Sequence, residues 1–238
     1  MVIEFDDAKV PDGSFVLLCN GGCAKSLTRI IFDDNLESIG SVKVTPKKDE
    51  KDLSAPKEEE VLLIYLNQGV VILHNSGVTG QHCGEILDKL WPVFFAKNCK
   101  IVGMSSVYKT NYSTSEGSIM IDSDEPLPLK YTKSNHADAA IDGFLAANAK
   151  QISADNQFNA TSGLTAALLM EAEMTGKSAI TFKAIFDEHF ITLETLRAFQ
   201  PVVNDLVGLK VDFSNIQKMK EFRSVLKDSN AKKNGIFS

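Results

Sequence analysis

The run SFVLLCNGG, residues Ser14–Gly22, places a short stretch rich in strand-forming residues directly before an Asn-Gly-Gly turn. An apolar run of this length, bounded by glycine, predicts a buried strand. After the turn, Leu27, Ile30 and Ile31 have helical spacing. The domain is therefore expected to open with a strand–turn–helix unit.

The same alternation of short apolar runs and helical patterns continues along the chain. Further strands are predicted at Val61–Leu66, Val70–Leu73, Ile101–Met104 and Ala179–Phe186, the last with one face less buried than the other. The first two should form a hairpin through Asn67-Gln68-Gly69. Helices are predicted at Gln81–Lys97, Asn135–Lys150, Leu164–Met174, Leu193–Leu206 and Ile216–Leu226, with a kink or an end at Pro92 and Pro201. Strands that alternate with helices predict an α/β fold with helices on both faces of a sheet.

Two segments are too polar to contribute to a core. Residues 42–60 contain five lysines, six acidic residues and two prolines, which predicts a disordered charged loop at about 43–60. A domain boundary there would leave too short a segment before it for an independent core. The segment Tyr108–Ser134 is predicted to be an irregular loop on the surface. We therefore expect one α/β domain over residues 1–227, followed by a flexible tail over residues 228–238.

The composition and the sequence argue against several classes of protein. A net charge of −6 and a pI near 5.3 argue against the basic face that nucleic-acid binding needs. The N-terminus resembles no signal peptide, and no apolar run is long enough to span a membrane. Four cysteines in such a chain predict reduced thiols, and the cytosol or the nucleus as the compartment.

Two clusters could carry ligand chemistry. Asn75–Gly84 is a glycine-rich turn between a predicted strand and a predicted helix, where backbone N–H groups could hold a phosphate. Its spacing matches no phosphate-loop motif, so an ordinary turn is the stronger interpretation. Cys19, Cys23, His82 and Cys83 could supply four metal ligands. Buried cysteines that pack as small apolar residues explain them better, so neither a metal nor a cofactor is expected.

Catalysis by a nucleophile would need a base and an orienting acid. The available bases are His74, His82, His136 and His189, the last in an Asp-Glu-His triplet typical of a solvated loop. No catalytic residue emerges from this pattern. A phosphorylase-like or hydrolase enzyme that uses the Asn75–Gly84 turn and one histidine stays open as an alternative, as does a generic protein-interaction module.

The C-terminus differs from the other candidates. Residues 228–235 are polar and carry no apolar stripe, which predicts mobility. The sequence then ends in Ile236, Phe237 and Ser238. A partner groove could bury the two apolar side chains while a basic group binds the carboxylate. Alternatively, these residues fold back on their own domain, or the ending has no function.

The C-terminal third resembles the proteasome assembly chaperone family. The resemblance rests on ITLETLRAFQPVV at residues 191–203, on LVGL at Leu206–Leu209, on the amphipathic helix after it and on the terminal hydrophobic–aromatic–small triplet. The segment LTAALL before the strand Ala179–Phe186 fits the same family. The likeness is clearest over roughly residues 160–238, and the order of earlier elements is compatible with it.

Membership of that family would imply a fold and a function that the composition does not show. The fold would be a three-layer α/β/α sandwich with a phosphorylase-like architecture that lacks catalytic residues. The protein would form a heterodimer with proteasome assembly chaperone 2 and bind the proteasome α-subunits on the outer face of the α-ring. It would help these subunits join correctly during assembly of the 20S core, and it would not be an enzyme.

The resemblance also implies a role for the tail. Proteins of this family end in a hydrophobic–Tyr–any motif that enters a pocket between adjacent α-subunits. Carried over here, Ile236 takes the hydrophobic position, Phe237 the tyrosine position, and Ser238 supplies a carboxylate for a pocket lysine. Phe237 departs from the motif because it lacks the phenolic hydroxyl, so we expect weaker docking. Its ring keeps most of the apolar area that would anchor the tail.

Overall fold

The computed structural model describes residues 1–20, 36–45, 59–78, 80–108, 129–155, 163–186 and 196–211. Nine strands form one mixed sheet: β1 (Val2–Phe5), β2 (Phe15–Cys19), β3 (Glu37–Val44), β4 (Glu59–Asn67), β5 (Val70–Asn75), β6 (Lys100–Tyr108), β7 (Leu129–Lys133), β8 (Ile152–Ala154) and β9 (Ala179–Phe186). Their spatial order is β1-β3-β4-β5-β2-β6-β9-β7-β8.

The centre of the sheet is parallel. β2 lies between β5 and β6 and runs parallel to both, and β6 runs parallel to β9. Each residue of β5 is buried, as are the last four of β2. Continuous apolar runs form these strands because a parallel strand is covered on both faces. The outer strands β1, β3, β4 and β7 pair antiparallel with their neighbours, except that β7 and β8 are parallel.

Helices cover both faces, which confirms the predicted α/β fold class. On one face, α1 (Gly80–Ala96) and α3 (Gly163–Met174) pack on Val16, Leu18 and Ile101. On the other, α2 (Ala139–Ala147) and a π-helical segment at Val202–Leu206 pack on the side chains of alternate strand residues. The layers are thus helix, sheet and helix. No helix of the described residues is long and apolar enough to cross a membrane.

Several local predictions are confirmed. Gln68 and Gly69 both have positive φ, 48° and 80°, between the antiparallel strands β4 and β5. Two successive positive φ angles are typical of the hairpin turn whose twist matches the strands. Gly176, with φ of 69°, follows the end of α3 as a terminating glycine should. Pro92 does not end α1, which continues to Ala96.

Other predictions were wrong in the bounds, the type or the burial of an element. Residues 43–44 and 59–60, predicted to be loop, are the paired ends of β3 and β4. Residues 129–133, predicted to be irregular, form β7 because they pair with β9 and β8. The strand Ala179–Phe186 is buried on both faces over residues 179–185, apart from the half-buried Lys183, because helices cover both faces of the sheet. The predicted helix at 135–150 is shorter, at Ala139–Ala147.

Candidate functional site

The predicted docking residues Ile236, Phe237 and Ser238 lie outside the described residues, the last of which is Val211. The predicted helix at Ile216–Leu226 and most of the charged loop, residues 46–58, also lie outside them. The structure therefore bears on function through the surfaces and polar clusters of the domain.

The Asn75–Gly84 turn forms an internal hydrogen-bond network at the carboxyl ends of β2 and β5. The Asn75 Oδ1 atom accepts from the backbone N–H groups of Gly77 and Val78, at 3.1 and 2.8 Å. Its Nδ2 atom donates to Asn20 Oδ1 at 3.0 Å, and Asn20 Nδ2 donates to Thr165 Oγ1 in the first turn of α3, also at 3.0 Å. The N–H groups that a phosphate cradle would use therefore already bind a side chain of the protein. This favours the ordinary turn.

A row of polar side chains continues from this network across the sheet. Ser105 on β6, Lys183 on β9, Lys130 on β7 and Ser153 on β8 are successive register partners, so they share one face. Lys130 Nζ donates to Ser153 Oγ at 2.7 Å, and Lys183 Nζ lies 2.8 Å from Asp155 Oδ2. The carboxylate offsets the repulsion between two lysines that face each other across the strands. The sequence gives no local signal for this row, because strand register creates it.

The histidines of the enzyme hypothesis lie in different segments among the described residues. His82 is in the first turn of α1, at the carboxyl edge of the parallel strands. His136 lies next to Asn135, which binds Glu173 near the opposite end of α3 from Thr165. Eight helical residues separate those two ends, a distance of about 12 Å. His74 is buried in the sheet. His189 lies outside the described residues.

The predicted metal-ligand set is also separated. The Cys19 side chain packs in the core on the α2 face, whereas the Cys83 side chain packs in the core on the α1 face. Burial raises the pKa of Cys83, which disfavours the thiolate that a metal or a nucleophile needs. Among the described residues no group of three or more potential ligands is close enough to hold a metal ion. Cys23 lies outside them.

A concave surface lies between β1 and α1. Its volume is about 610 Å³, and we call it the β1–α1 groove. Its lining consists of Met1, Ile3, Phe5 and Asp7 from the β1 side and Glu85, Asp88, Lys89, Leu90 and Val93 from α1. Ile3, Phe5, Leu90 and Val93 are buried or half-buried and form its floor, whereas Met1 and the charged members are exposed. The sequence analysis did not predict this strand, and the alternation of Ile3 and Phe5 is the local signal that could have revealed it.

A second surface is apolar but convex. Met170 and Met174 are one turn apart on α3, with 60% and 74% of their surface exposed. Phe95 on α1 is 42% exposed, and Lys177 Nζ lies 4.1 Å from the centre of its ring. Flexible methionines on an exposed helix face are typical of surfaces that bind other proteins.

Comparison with known proteins shows a fold shared with characterised structures. No protein-family model and no curated protein sequence matches this chain. PbaA of Pyrococcus furiosus, an archaeal homolog of proteasome-assembly chaperone, is similar with a TM-score of 0.68 at 12% identity, over 95% of this chain and 93% of PbaA. PbaB of Pyrococcus furiosus, an archaeal proteasome activator, has a TM-score of 0.62 at 10% identity, over 96% and 98% of the two chains.

A third solved structure has no assigned function. A protein of Thermoplasma acidophilum has a TM-score of 0.65 at 13% identity, over 95% of this chain and 89% of that chain. At these identities the likeness shows the architecture. It extends over nearly the full length of each protein, and so the whole domain shares the fold.

Proposed function

We propose that this chain is a chaperone in proteasome assembly that works by binding other proteins and not by catalysis. The observation that carries the proposal is the fold likeness to PbaA over 95% of this chain and 93% of PbaA. The placement of His82 and His136 at different ends of the domain, and the internal use of the Asn75 turn, support binding over catalysis.

In its finer form, the proposal is that the chain corresponds to proteasome assembly chaperone 1. It would pair with proteasome assembly chaperone 2 in the cytosol and the nucleus, and the pair would bind the outer face of the α-ring. The resemblance of residues 160–238 to that family supports this assignment. The domain would span neighbouring α-subunits as a template, and it would leave when the 20S core matures.

The tail would provide a second contact. Ile236 and Phe237 would fill an apolar pocket between two α-subunits, while the carboxylate of Ser238 pairs with a lysine. Occupation of that pocket would also exclude other regulators with similar tails. Two apolar side chains on a polar segment are the observation that supports this role.

Affinity purification of the tagged protein, read by mass spectrometry, tests the proposal directly. We expect α-subunits and a second assembly chaperone among the enriched proteins. Recovery of neither, from cells that contain assembling proteasomes, would contradict the proposal and favour an interaction module with another target.

Variants of the tail and of the domain separate the two contacts. Deletion of Ile236–Ser238 should reduce recovery of α-ring intermediates, and undiminished recovery would remove the tail from the mechanism. Met174→Glu places a charge on the convex apolar surface, where Met174 is 74% exposed and the fold does not depend on it. Any binding that survives the tail deletion and is lost in Met174→Glu would come from this face of the domain. Lys210→Glu, at another exposed position, is the matched control.

A further inference from the structure

We propose that the β1–α1 groove binds the segment Lys232–Phe237 of the same chain while the protein has no partner. The contact itself is independent of any role in proteasome assembly. Its regulatory consequence, competition between the groove and an external pocket for the tail, rests on the proposed function.

The groove offers an apolar floor that is already formed. Ile3 and Phe5 point to the same side of β1 because strand residues two apart share a face. Leu90 and Val93 face them from α1, and all four line the groove. The ring of Phe5 is held by an edge contact with Phe94, with ring centres 6.1 Å apart. A volume of about 610 Å³ falls within the range of about 300–1,000 Å³ typical of sites that bury drug-sized ligands. The groove is therefore large enough to hold the two side chains of Ile236 and Phe237.

The charge of the rim selects a basic occupant. Asp7, Glu85 and Asp88 lie at the rim, together with the positive charges of Lys89 and of the Met1 α-amino group, so the lining residues carry a net charge of −1. The tail carries Lys232 and Lys233 shortly before its apolar pair. Three extended residues span about 10 Å, so the lysines reach the rim when the apolar pair is on the floor. The order of these groups therefore matches the groove, and the two lysines can pair with its three carboxylates.

The connection is long enough to reach. Val211 packs against the core on the α2 face, whereas the groove is on the α1 face beside the edge strand β1. A sheet of nine strands is about 38 Å wide at ~4.8 Å per strand. Between Val211 and Lys232, the predicted helix Ile216–Leu226 would span about 16 Å, and the other nine residues would span up to about 31 Å when extended. The connection therefore reaches about 47 Å, which exceeds the width of the sheet. The tail can therefore pass around the sheet without rearrangement of the domain.

Occupancy of the groove would regulate the tail. A bound tail hides two apolar residues from unintended partners, and an external pocket binds only the fraction of molecules whose tail is released. The apparent affinity for that pocket is lowered by this fraction. A tail that is held at its own groove by weak, exposed charges would be released readily by a pocket with a better fit.

Nuclear magnetic resonance of the full chain tests the contact. We expect the double variant Ile236→Asp with Phe237→Asp to shift the backbone amide signals of Ile3, Phe5 and Val93, whereas the signals of β9 stay unchanged. The shifts should be the same at low and high protein concentration, because the contact is within one chain. Unchanged groove signals, or shifts that depend on concentration, would overturn the proposal.

Reversal of the acidic charges at the rim of the groove is the second test of the contact. Glu85→Lys with Asp88→Lys should produce the same pattern of shifts by releasing the tail, and it should weaken binding of an added peptide of residues 228–238 by about fivefold at low salt. Asp205→Lys, an exposed position on the other face, is the matched control and should leave both readouts unchanged. Combining the groove reversal with Lys232→Glu and Lys233→Glu should restore the wild-type spectrum. A failure of this restoration would contradict the charge pairing, and an equal effect of Asp205→Lys would contradict the location.

These measurements need no proteasome subunit. A contact that is observed while affinity purification recovers no α-subunits would leave the groove assignment in place and remove the proposed function. The converse result would remove only the groove assignment.

Discussion

Lys183 and Asp155 form a buried ion pair, with Nζ and Oδ2 2.8 Å apart and side chains that are 12% and 5% exposed. The pair links the central strand β9 to the residue that follows β8. It also lies beside Lys130, the register partner of Lys183. The Asp155 carboxylate therefore offsets the repulsion between two lysines that face each other across β9 and β7.

Removal of one partner should cost much more than removal of both. Asp155→Ala removes the carboxylate that lies 2.8 Å from the buried Lys183 ammonium, and we expect a loss of about 3 kcal/mol or more in the free energy of unfolding. The double variant Asp155→Leu with Lys183→Met should recover most of that loss. Urea denaturation measures both. Asp142→Asn breaks the exposed pair with Lys133 and should cost less than about 1 kcal/mol. Equal losses in the buried and the exposed variants would contradict the role of burial.

Gly103 on β6 marks the closest approach of α3 to the sheet. A Cβ atom at this position would lie 2.9 Å from Thr165 Cγ2 and 3.0 Å from Thr181 Cγ2. Gly103→Ala should therefore destabilise the protein by about 1–3 kcal/mol through overpacking. Adding Thr165→Ser removes one of the two methyl groups but keeps the hydroxyl that binds Asn20, and it should restore part of the loss.

A second glycine is the matched control for Gly103→Ala. Gly143 lies in α2 with open space around its Cα hydrogen. Gly143→Ala should raise the free energy of unfolding by about 0.5–1 kcal/mol, since alanine favours the helix. Thermal unfolding should show a lower Tm for Gly103→Ala and a higher Tm for Gly143→Ala. Shifts of the same sign would show that packing around Gly103 is looser than the distances indicate.

Asp138 should give the protein a contribution to stability that depends on pH. Burial alone would raise the pKa of Asp138, but its hydrogen bonds with Lys100 and the backbone amide of Ile141 outweigh burial and hold the pKa below the ordinary value. Because the folded pKa is depressed, the stabilisation is present above the unfolded pKa and is lost as the pH falls through the folded value. The loss therefore falls below about pH 4.

The variant Asp138→Asn isolates this charge. Asparagine still accepts the hydrogen bond at the start of α2, so only the ion pair with Lys100, at 2.6 Å, is lost. We expect a loss of about 0.5–1 kcal/mol at pH 7, and the difference from the wild type should shrink toward zero below about pH 4. Urea denaturation between pH 3 and 7, with Asp205→Asn as the control, measures the profile. A difference that is constant across this range would exclude the carboxylate charge as its cause.

Phe237→Tyr should strengthen docking if the tail enters the proposed α-ring pocket. A hydroxyl that finds a partner in a mostly buried pocket contributes about 0.5–1.5 kcal/mol, or roughly a 2- to 12-fold gain in affinity. Surface plasmon resonance on immobilised α-rings measures the gain. Phe237→Leu removes the ring and should weaken binding. A tyrosine variant that binds no better than phenylalanine would indicate a pocket without that hydrogen-bond partner.

The sequence predicted the parallel centre of the sheet well, because burial on both faces leaves continuous apolar runs such as Val70–Leu73. It did not predict β7, whose residues 129–133 carry a single fully buried position, Leu129. That strand exists because β9 and β8 pair with it, and pairing between distant segments leaves no local pattern. The ends of the charged loop were misassigned for the same reason.

The candidate surfaces likewise divide into those with a local sequence pattern and those that form only between distant segments. The tail residues Ile236 and Phe237 were visible in the sequence because an apolar pair at the end of a polar segment is a local feature. The β1–α1 groove joins Ile3 to Val93, and the polar row joins Ser105 to Lys183. Both depend on contacts between elements far apart along the chain, which only the folded structure brings together.

The position of β2 has a consequence for how the protein is made. β2 is synthesised early, but its neighbours in the sheet are β5 and β6, which follow later in the chain. Cys19 of β2, for example, pairs with Met104 of β6. At ~5–20 residues per second, a ribosome needs about 4–17 s to add the roughly 85 residues in between. During that interval β2 has been synthesised but lacks its β6 partner. We therefore expect the apolar run of β2 to be prone to aggregation until β6 is available.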